Sequence, residues 1–332
     1  MSFGVWNEYG RLKEVAVGTA IGAVVPSPND AYPPELLKLT RKHAGRPASN
    51  VPELAEILVH TQEQLDHLAR VYADHGVIVH RPRPFTSKES RYLADLQVGA
   101  IQIFPADPIW MIGRHAIECQ FRQPYRNKEL FPLRELLAPR IEMFPELRIG
   151  ACPVTTPVDP AAGHAGARGG FYLEGGDILI CGNADKDILV GVDEERSSSA
   201  KGVEWLRRHL ADDGYRVTPV RITKGAPIHL LGAMGAMGPE AALIYRPAFV
   251  DGIPEPIKHW DLLDITLEEA RAGGPCVVML DSKTILAPAE TPRICEWLEQ
   301  RGLRVIPIPF DAVTRFDGAI RCATFVMHRD KA

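Results

Sequence analysis

The chain has no C-x-x-C pair: its six cysteines, Cys119, Cys152, Cys181, Cys276, Cys295 and Cys322, stand far apart. That spacing argues against zinc and dithiol redox motifs. No cluster of ligand residues has metal-binding spacing either, so neither a metal nor an organic cofactor is expected. Dispersed thiols are simplest to read as reduced, and a cytoplasmic location is expected. No apolar run reaches the roughly 18 residues that a membrane helix needs. The opening MSFGVWNEYG lacks the charged lead and apolar stretch of a signal peptide. Long basic runs are missing too, and the formal net charge is −4. Nucleic acid and anionic membranes are therefore not expected as partners. No linker of disordered composition splits the 332 residues, which are read as one domain, 1–332.

What is present suits a sizeable core: 45% hydrophobic and 24% charged residues is an ordinary globular balance. Strand-like runs alternate with helical patterns. LKEVAVGTA (12–20) reads as a strand, and VPELAEILVHTQEQLDHLARVYADHG (51–76) as a helix with apolar residues at helical spacing. VIVHRP (77–82) is extended. AIQIFPADPIWMIG (100–113) reads as two short strands broken at Pro105 and Pro108. FYLEGGDILICG (171–182) reads as a strand, a Gly-Gly kink and a second strand. A helix over 199–214 leads to the strand YRVTPVRI; EAALIY, CVVML, TILAP and VIPIPF are further strands; TPRICEWLEQRG (291–302) is a helix. A strand–strand–helix–strand unit thus recurs roughly every 60 residues, which suits a layered βα fold or a closed ring of βα modules. Residues 151–170, rich in Pro, Gly and Ala, are a candidate lid or a plain surface loop.

Cys322, in FDGAIRCATFVMHRD, is either a small core residue or a nucleophile, and Arg321 beside it would favour the thiolate. A cysteine nucleophile also needs an acid/base partner. Of the eleven histidines, His60, His67, His75 and His209 lie on amphipathic helices, and His43 and His164 in loops. His229 differs, because it follows a Pro-containing turn and precedes LLGAMGAMG, a stretch of small residues that allows close approach. That stretch lacks the Gly-Lys-Ser/Thr ending of a phosphate loop. Asp107 in FPADP and Glu174 and Asp177 in LEGGDIL are carboxylates at strand breaks. For Asp177 a turn-capping role is favoured. Carboxylates with one His and one Cys suit binding and attack of a planar cation, and a guanidinium is the obvious case.

In that order the motifs resemble the guanidino-group-modifying superfamily of amidinotransferases, arginine deiminases and dimethylarginine dimethylaminohydrolases. WNEYGRLKEVAVGTAIGAVVP is similar to the opening of amidinotransferases. The resemblance puts Asp107 at a substrate-gripping aspartate, Arg126 in an Arg-x-x-Glu element (RNKE), Glu174 at the catalytic carboxylate, His229 at the catalytic histidine and Cys322 at the nucleophile. It implies a five-bladed, pseudo-symmetric α/β propeller around a polar channel. It also implies covalent cleavage of a C–N bond in an arginine-like guanidino substrate. Transfer to an amine acceptor, hydrolysis of an N-substituted arginine and deimination are variants of that chemistry. A non-catalytic propeller that binds a partner is the rival, though such a protein has no need to keep Cys, His and two carboxylates. Whether copies of the chain assemble stays open.

Three positions depart from the family pattern. Leu231 stands where deiminases and amidinotransferases carry an aspartate, two residues after the histidine. Glu174 replaces the aspartate of amidinotransferases, and Arg321 replaces a histidine common before their cysteine. The whole chain leans towards amidinotransferase and the local site towards hydrolase. An apolar Leu231 predicts a substituted or apolar substrate group facing it, and Arg321 is expected to border the substrate.

Overall fold

The computed structural model describes residues 2–25, 28, 34–95, 100–122, 124–154, 170–184 and 186–331. Strand β1 (Leu12–Val17) is followed by helices α1 (Pro34–His43) and α2 (Pro52–Asp74), strand β2 (Ile78–His80) and helix α3 (Ser87–Asp95). Next come β3 (Ile109–Ile112), β4 (His115–Glu118), α4 (Leu130–Met143) and β5 (Arg148–Ala151). The third group is β6 (Ile178–Ile180), β7 (Asp187–Val192), α5 (Ala200–Leu210) and β8 (Arg216–Arg221). The fourth is α6 (Leu230–Ala233), β9 (Met234–Ala236), β10 (Ala241–Ile244), β11 (Asp261–Asp264) and α7 (Leu267–Arg271). The chain ends with β12 (Val278–Met279), β13 (Thr284–Pro288), α8 (Pro292–Gln300), β14 (Arg304–Ile308), α9 (Asp311–Thr314) and β15 (Thr324–Arg329).

These strands form five three-stranded sheets, ordered β15-β1-β2, β3-β4-β5, β6-β7-β8, β9-β10-β11 and β12-β13-β14, with β9-β10-β11 running in the direction 9, 10, 11 as the others do. In each, the middle strand pairs antiparallel with one neighbour and parallel with the other. A parallel partner demands a crossover. Helices α2, α4, α5 and α8 supply it in four sheets, while residues 245–260 cross with two 3₁₀ turns in the fourth. This is the strand–strand–helix–strand unit of the sequence. In the first sheet the antiparallel partner comes from the far end of the chain: Leu12 pairs with Arg329 and Val17 with Thr324. That closure brings the turn before β15, and Cys322 with it, beside the end of β1, where Gly18 N–H donates to the Ala323 carbonyl at 3.0 Å.

Helix α2 shows how the pattern becomes packing. Leu54, Leu58, Thr61, Leu65, Leu68 and Tyr72 recur at three- and four-residue steps and are all buried. Each large apolar side chain moved out of water contributes about 1.5–3 kcal/mol. His60 on the opposite face is exposed. The middle strand β7 (DILVGV) is buried at every position, as expected of a strand covered on both sides. No helix among the described residues is long and apolar enough to cross a membrane.

Two expected strands are absent. Residues 101–108 turn rather than extend, because Pro105 and Pro108 lack the N–H donors a ladder needs. Of FYLEGGDILICG only Ile178–Ile180 is a strand; Leu173 makes one isolated bridge with Gln120, and Gly175–Asp177 form a 3₁₀ turn. Both departures fall on segments that carry candidate site residues. Residues 155–169 of the expected lid, His164 included, lie outside the described residues.

Candidate active site

The candidate residues sit in four turns that are stitched together by backbone bonds. Asp107 lies in the turn before β3, where its N–H donates to the Phe104 carbonyl at 3.2 Å. Its own carbonyl accepts from Gly175 N–H at 2.8 Å, which ties this turn to the one after Glu174. Asp177 then braces that second turn. Its Oδ1 accepts from Leu230 N–H at 3.0 Å and its Oδ2 from the Ser198 hydroxyl at 2.7 Å. The bond to Leu230 fixes the start of α6 and hangs His229, in extended backbone, over Gly176. Contact there is so close that a Cβ at position 176 would stand 2.5 Å from His229 Nδ1 and 3.1 Å from Asp107 Oδ1. Ala106 N–H donates to the Cys322 carbonyl at 3.3 Å, which joins the fourth turn to the first.

Side-chain bonds set the chemistry. His229 Nε2 is 2.7 Å from Glu174 Oε2, and Glu174 Oε1 accepts from Arg122 N–H at 3.0 Å. Arg126 donates through Nη1 to Asp107 Oδ2 at 2.9 Å and through Nη2 to Glu129 at 2.8 Å, with its guanidinium over the Phe121 ring. Asp107 is 3% exposed, and its Oδ1 is buried without a hydrogen-bond partner. An unmet buried acceptor costs about 1–3 kcal/mol, more when charged. Asp107, Glu174 and His229 line one cavity of about 940 Å³ of empty space, part of it open to solvent. Arg126 and Asp317 also line it, and its other walls are apolar, with Val24, Leu58, Phe104, Phe121 and Phe316 among them.

Burial alone would lower the His229 pKa. The hydrogen bond to Glu174 and the charges of Asp177, Glu174 and Asp107 outweigh it and raise the pKa to about 10. The imidazole is therefore protonated at neutral pH and donates to Glu174. Cys322 is 7% exposed and stands in the fields of Asp107 and His229. Its thiol is lowered, first by a hydrogen bond from Cys276, against burial and the charge of Asp107, and with help from a backbone N–H and His229. Cys276 is raised well above an ordinary thiol, so it keeps its proton. Its single S–H reaches the Leu231 carbonyl at 3.2 Å or turns to the Cys322 sulfur. Burial pushes Glu129 up to about 7 against the opposing pull of Arg126.

Asp107, Arg126, Glu174 and His229 thus meet in one cavity; Cys322 is not among the residues lining it, and its backbone is tied to the Asp107 turn by the Ala106–Cys322 bond. Two more expected residues lie apart from it. Arg321 is buried in a pair with Glu8 (3.2 and 3.3 Å), donates to the Thr324 carbonyl and covers the Trp110 ring. Adjacent residues in a turn point different ways, so sequence proximity to Cys322 does not bring its charge to the cavity. Leu231 is buried in α6 and is not among the residues lining the cavity. It faces Cys276 through its carbonyl instead. Arg126 does reach the cavity, but its guanidinium is held by Asp107 and Glu129. Two contributors were missed. Cys276 lies 46 positions before Cys322 and had no local signal; Asp317 had one, an Asp-Gly turn immediately upstream of the cysteine. Among the described residues no group of three or more His, Cys, Asp or Glu is placed to hold a metal ion.

Five like-ordered sheets of this kind are the fold of solved amidinotransferases and dimethylarginine dimethylaminohydrolases. The solved amidinotransferase SxtG of the Microseira wollei saxitoxin pathway superposes with a TM-score of 0.78 at 22% identity, covering 99% of this chain and 98% of that one. Dimethylarginine dimethylaminohydrolase from Pseudomonas aeruginosa superposes at 0.65 with 17% identity, covering 95% and 99%. In sequence, glycine amidinotransferase of Xenopus tropicalis is 24% identical across 98% of this chain and 82% of its own length. Inosamine-phosphate amidinotransferase 1 of Streptomyces griseus is also 24% identical, across 98% and 96%. No protein-family model matches the chain. The chain is thus similar, end to end, to guanidino-group-modifying enzymes, amidinotransferases foremost among those compared.

Proposed function

We propose that the cavity is the active site of a cysteine-dependent amidinotransferase acting on a small guanidino compound. The observation that carries this is Asp107 Oδ1, a buried carboxylate oxygen without a hydrogen-bond partner, on a residue that lines the cavity together with His229 and Glu174. A guanidinium N–H satisfies it and brings the opposite charge. The Cys322 thiolate attacks the guanidino carbon, forming an S–C bond and a tetrahedral species. The C–N bond to the departing amine breaks, its electron pair goes to nitrogen, and the His229 imidazolium supplies the proton. Glu174 holds that imidazolium in line. An acceptor amine then attacks the S-amidino carbon, His229 takes its proton, and the S–C pair returns to sulfur.

With water in place of the amine the same steps make a hydrolase. Glu174, the acidic form shared with dimethylaminohydrolases and deiminases, is the feature that favours that second reading. In both, the five sheets are blades about a pseudo-fivefold axis and residues 1–332 act as one catalytic unit. The repeated strand order and the β15–β1 pairing support that arrangement. The test is to feed a guanidine labelled at its central carbon, with and without an amine acceptor. Label in a new guanidine means transfer; label in a urea-type product means hydrolysis. Label left in the starting compound alone, with every acceptor, would remove both.

A further inference from the structure

Asp317 is a third carboxylate in the cavity lining, five residues before Cys322. Its backbone has φ 66°, a left-handed conformation that Asp and Asn adopt more readily than other residues with side chains. Gly318 packs so tightly on Phe104 that a Cβ there would lie 2.6 Å from the ring, which fixes the turn against the cavity wall. Asp317 is exposed to solvent, although protein stands close around its carboxyl. That desolvation raises its carboxyl, with Asp107 adding to the rise and His229 and Arg196 opposing it.

The hydrogen-bond needs of a guanidinium give this residue a task. A monosubstituted guanidinium carries five N–H donors in a planar fork. Asp107 has Oδ2 engaged by Arg126, and both oxygens of Glu174 already accept bonds. The unpartnered Asp107 Oδ1 independently points to a cationic ligand in this cavity. Leu231, where a further aspartate is expected, is turned away.

We infer that Asp317 supplies the third carboxylate of the site. It accepts from the terminal NH₂ group that Asp107 does not reach. The substrate class is then a monosubstituted guanidine with both terminal NH₂ groups unalkylated and an apolar stem against Phe104 and Phe316. This rests on the guanidino reading above, and it replaces the alkylated group expected opposite Leu231.

The experiment measures binding without covalent chemistry. In the Cys322→Ser protein, calorimetry compares butylguanidinium with its N,N-dimethyl derivative. Butylguanidinium is expected to bind about tenfold tighter. Adding Asp317→Asn, which keeps the size and tolerates the left-handed backbone, is expected to weaken butylguanidinium about tenfold, or about 1.4 kcal/mol. The dimethyl compound is expected to change by less than about twofold, since its alkylated nitrogen has no N–H to offer the Asp317 carboxylate. A thermal melt checks that the double variant folds. Equal binding of the two guanidines, or an unchanged ratio on Asp317→Asn, overturns the inference and leaves the proposed function standing. Failure to bind either guanidine overturns both.

Discussion

Replacing Gly176 with alanine adds one methyl group and touches no reacting atom, yet it is expected to disable the site. The added Cβ would lie 2.5 Å from His229 Nδ1, 2.7 Å from its Cγ and 3.1 Å from Asp107 Oδ1. Non-bonded carbon contacts settle near 3.5–4.0 Å, so the ring has to retreat by roughly 1 Å. His229 cannot slide freely, because Nε2 is bonded to Glu174 and the next residue is tied to Asp177. A misplacement of about 1 Å in a reacting group typically costs about a hundredfold in rate. Overpacking costs about 1–3 kcal/mol in stability. Steady-state kinetics and a thermal melt on purified Gly176→Ala read both. A kcat reduced about a hundredfold with the protein still folded agrees with the geometry. Wild-type kcat would refute the reasoning, since the imidazole would then not need the position it occupies.

Other consequences follow from the charges around the cavity. The profile of kcat/KM against pH is expected to rise below the ordinary thiol range and to fall near pH 10 as His229 loses its proton. In Cys276→Ala the acidic limb is expected to move to higher pH with the plateau rate kept; an unmoved limb means the second thiol does not aid Cys322. In the folded protein His229 is raised to about 10, above its unfolded value of about 6.5. Its stabilisation is thus complete below about pH 6.5 and lost as pH rises towards 10. Denaturant titrations of Cys322→Ser, which lacks the opposing thiol titration, are expected to show that decline, and adding His229→Gln is expected to flatten it. Arg321→Met leaves Glu8 buried and unpaired, a loss of about 3–5 kcal/mol. A melt is expected to show it with KM unchanged, whereas a selective rise in KM would return Arg321 to the substrate.

The repeated unit was legible where the middle strand is an apolar run, as in β7 and β10, and the crossover helix amphipathic, as α2 and α8 illustrate; the middle strand β4 (HAIE) and α4 carry no such pattern. Asp107, Glu174, His229 and Cys322 could be singled out as candidates because they stand at breaks between elements and match the family's motifs in order. What misled was the inference from neighbours in sequence to neighbours in space. Arg321 is adjacent to Cys322 and yet pairs with Glu8, more than 300 positions away. Leu231 follows His229 by two, but α6 starts at once and turns that side chain into the core. Cys276, two residues before β12, reaches the thiol because the turn before β15 packs on it: Arg321 N–H donates to its carbonyl at 3.1 Å. The segment 100–108 looked extended because its apolar residues alternate, but two prolines deny it a ladder partner.

The most direct test of the central claim is peptide-mapping mass spectrometry after rapid acid quench during turnover of a guanidino substrate. The prediction is an amidino group on Cys322, absent from Cys322→Ser and formed more slowly when His229 is replaced. A modified residue elsewhere, or turnover with Cys322 never modified at any quench time, would contradict it.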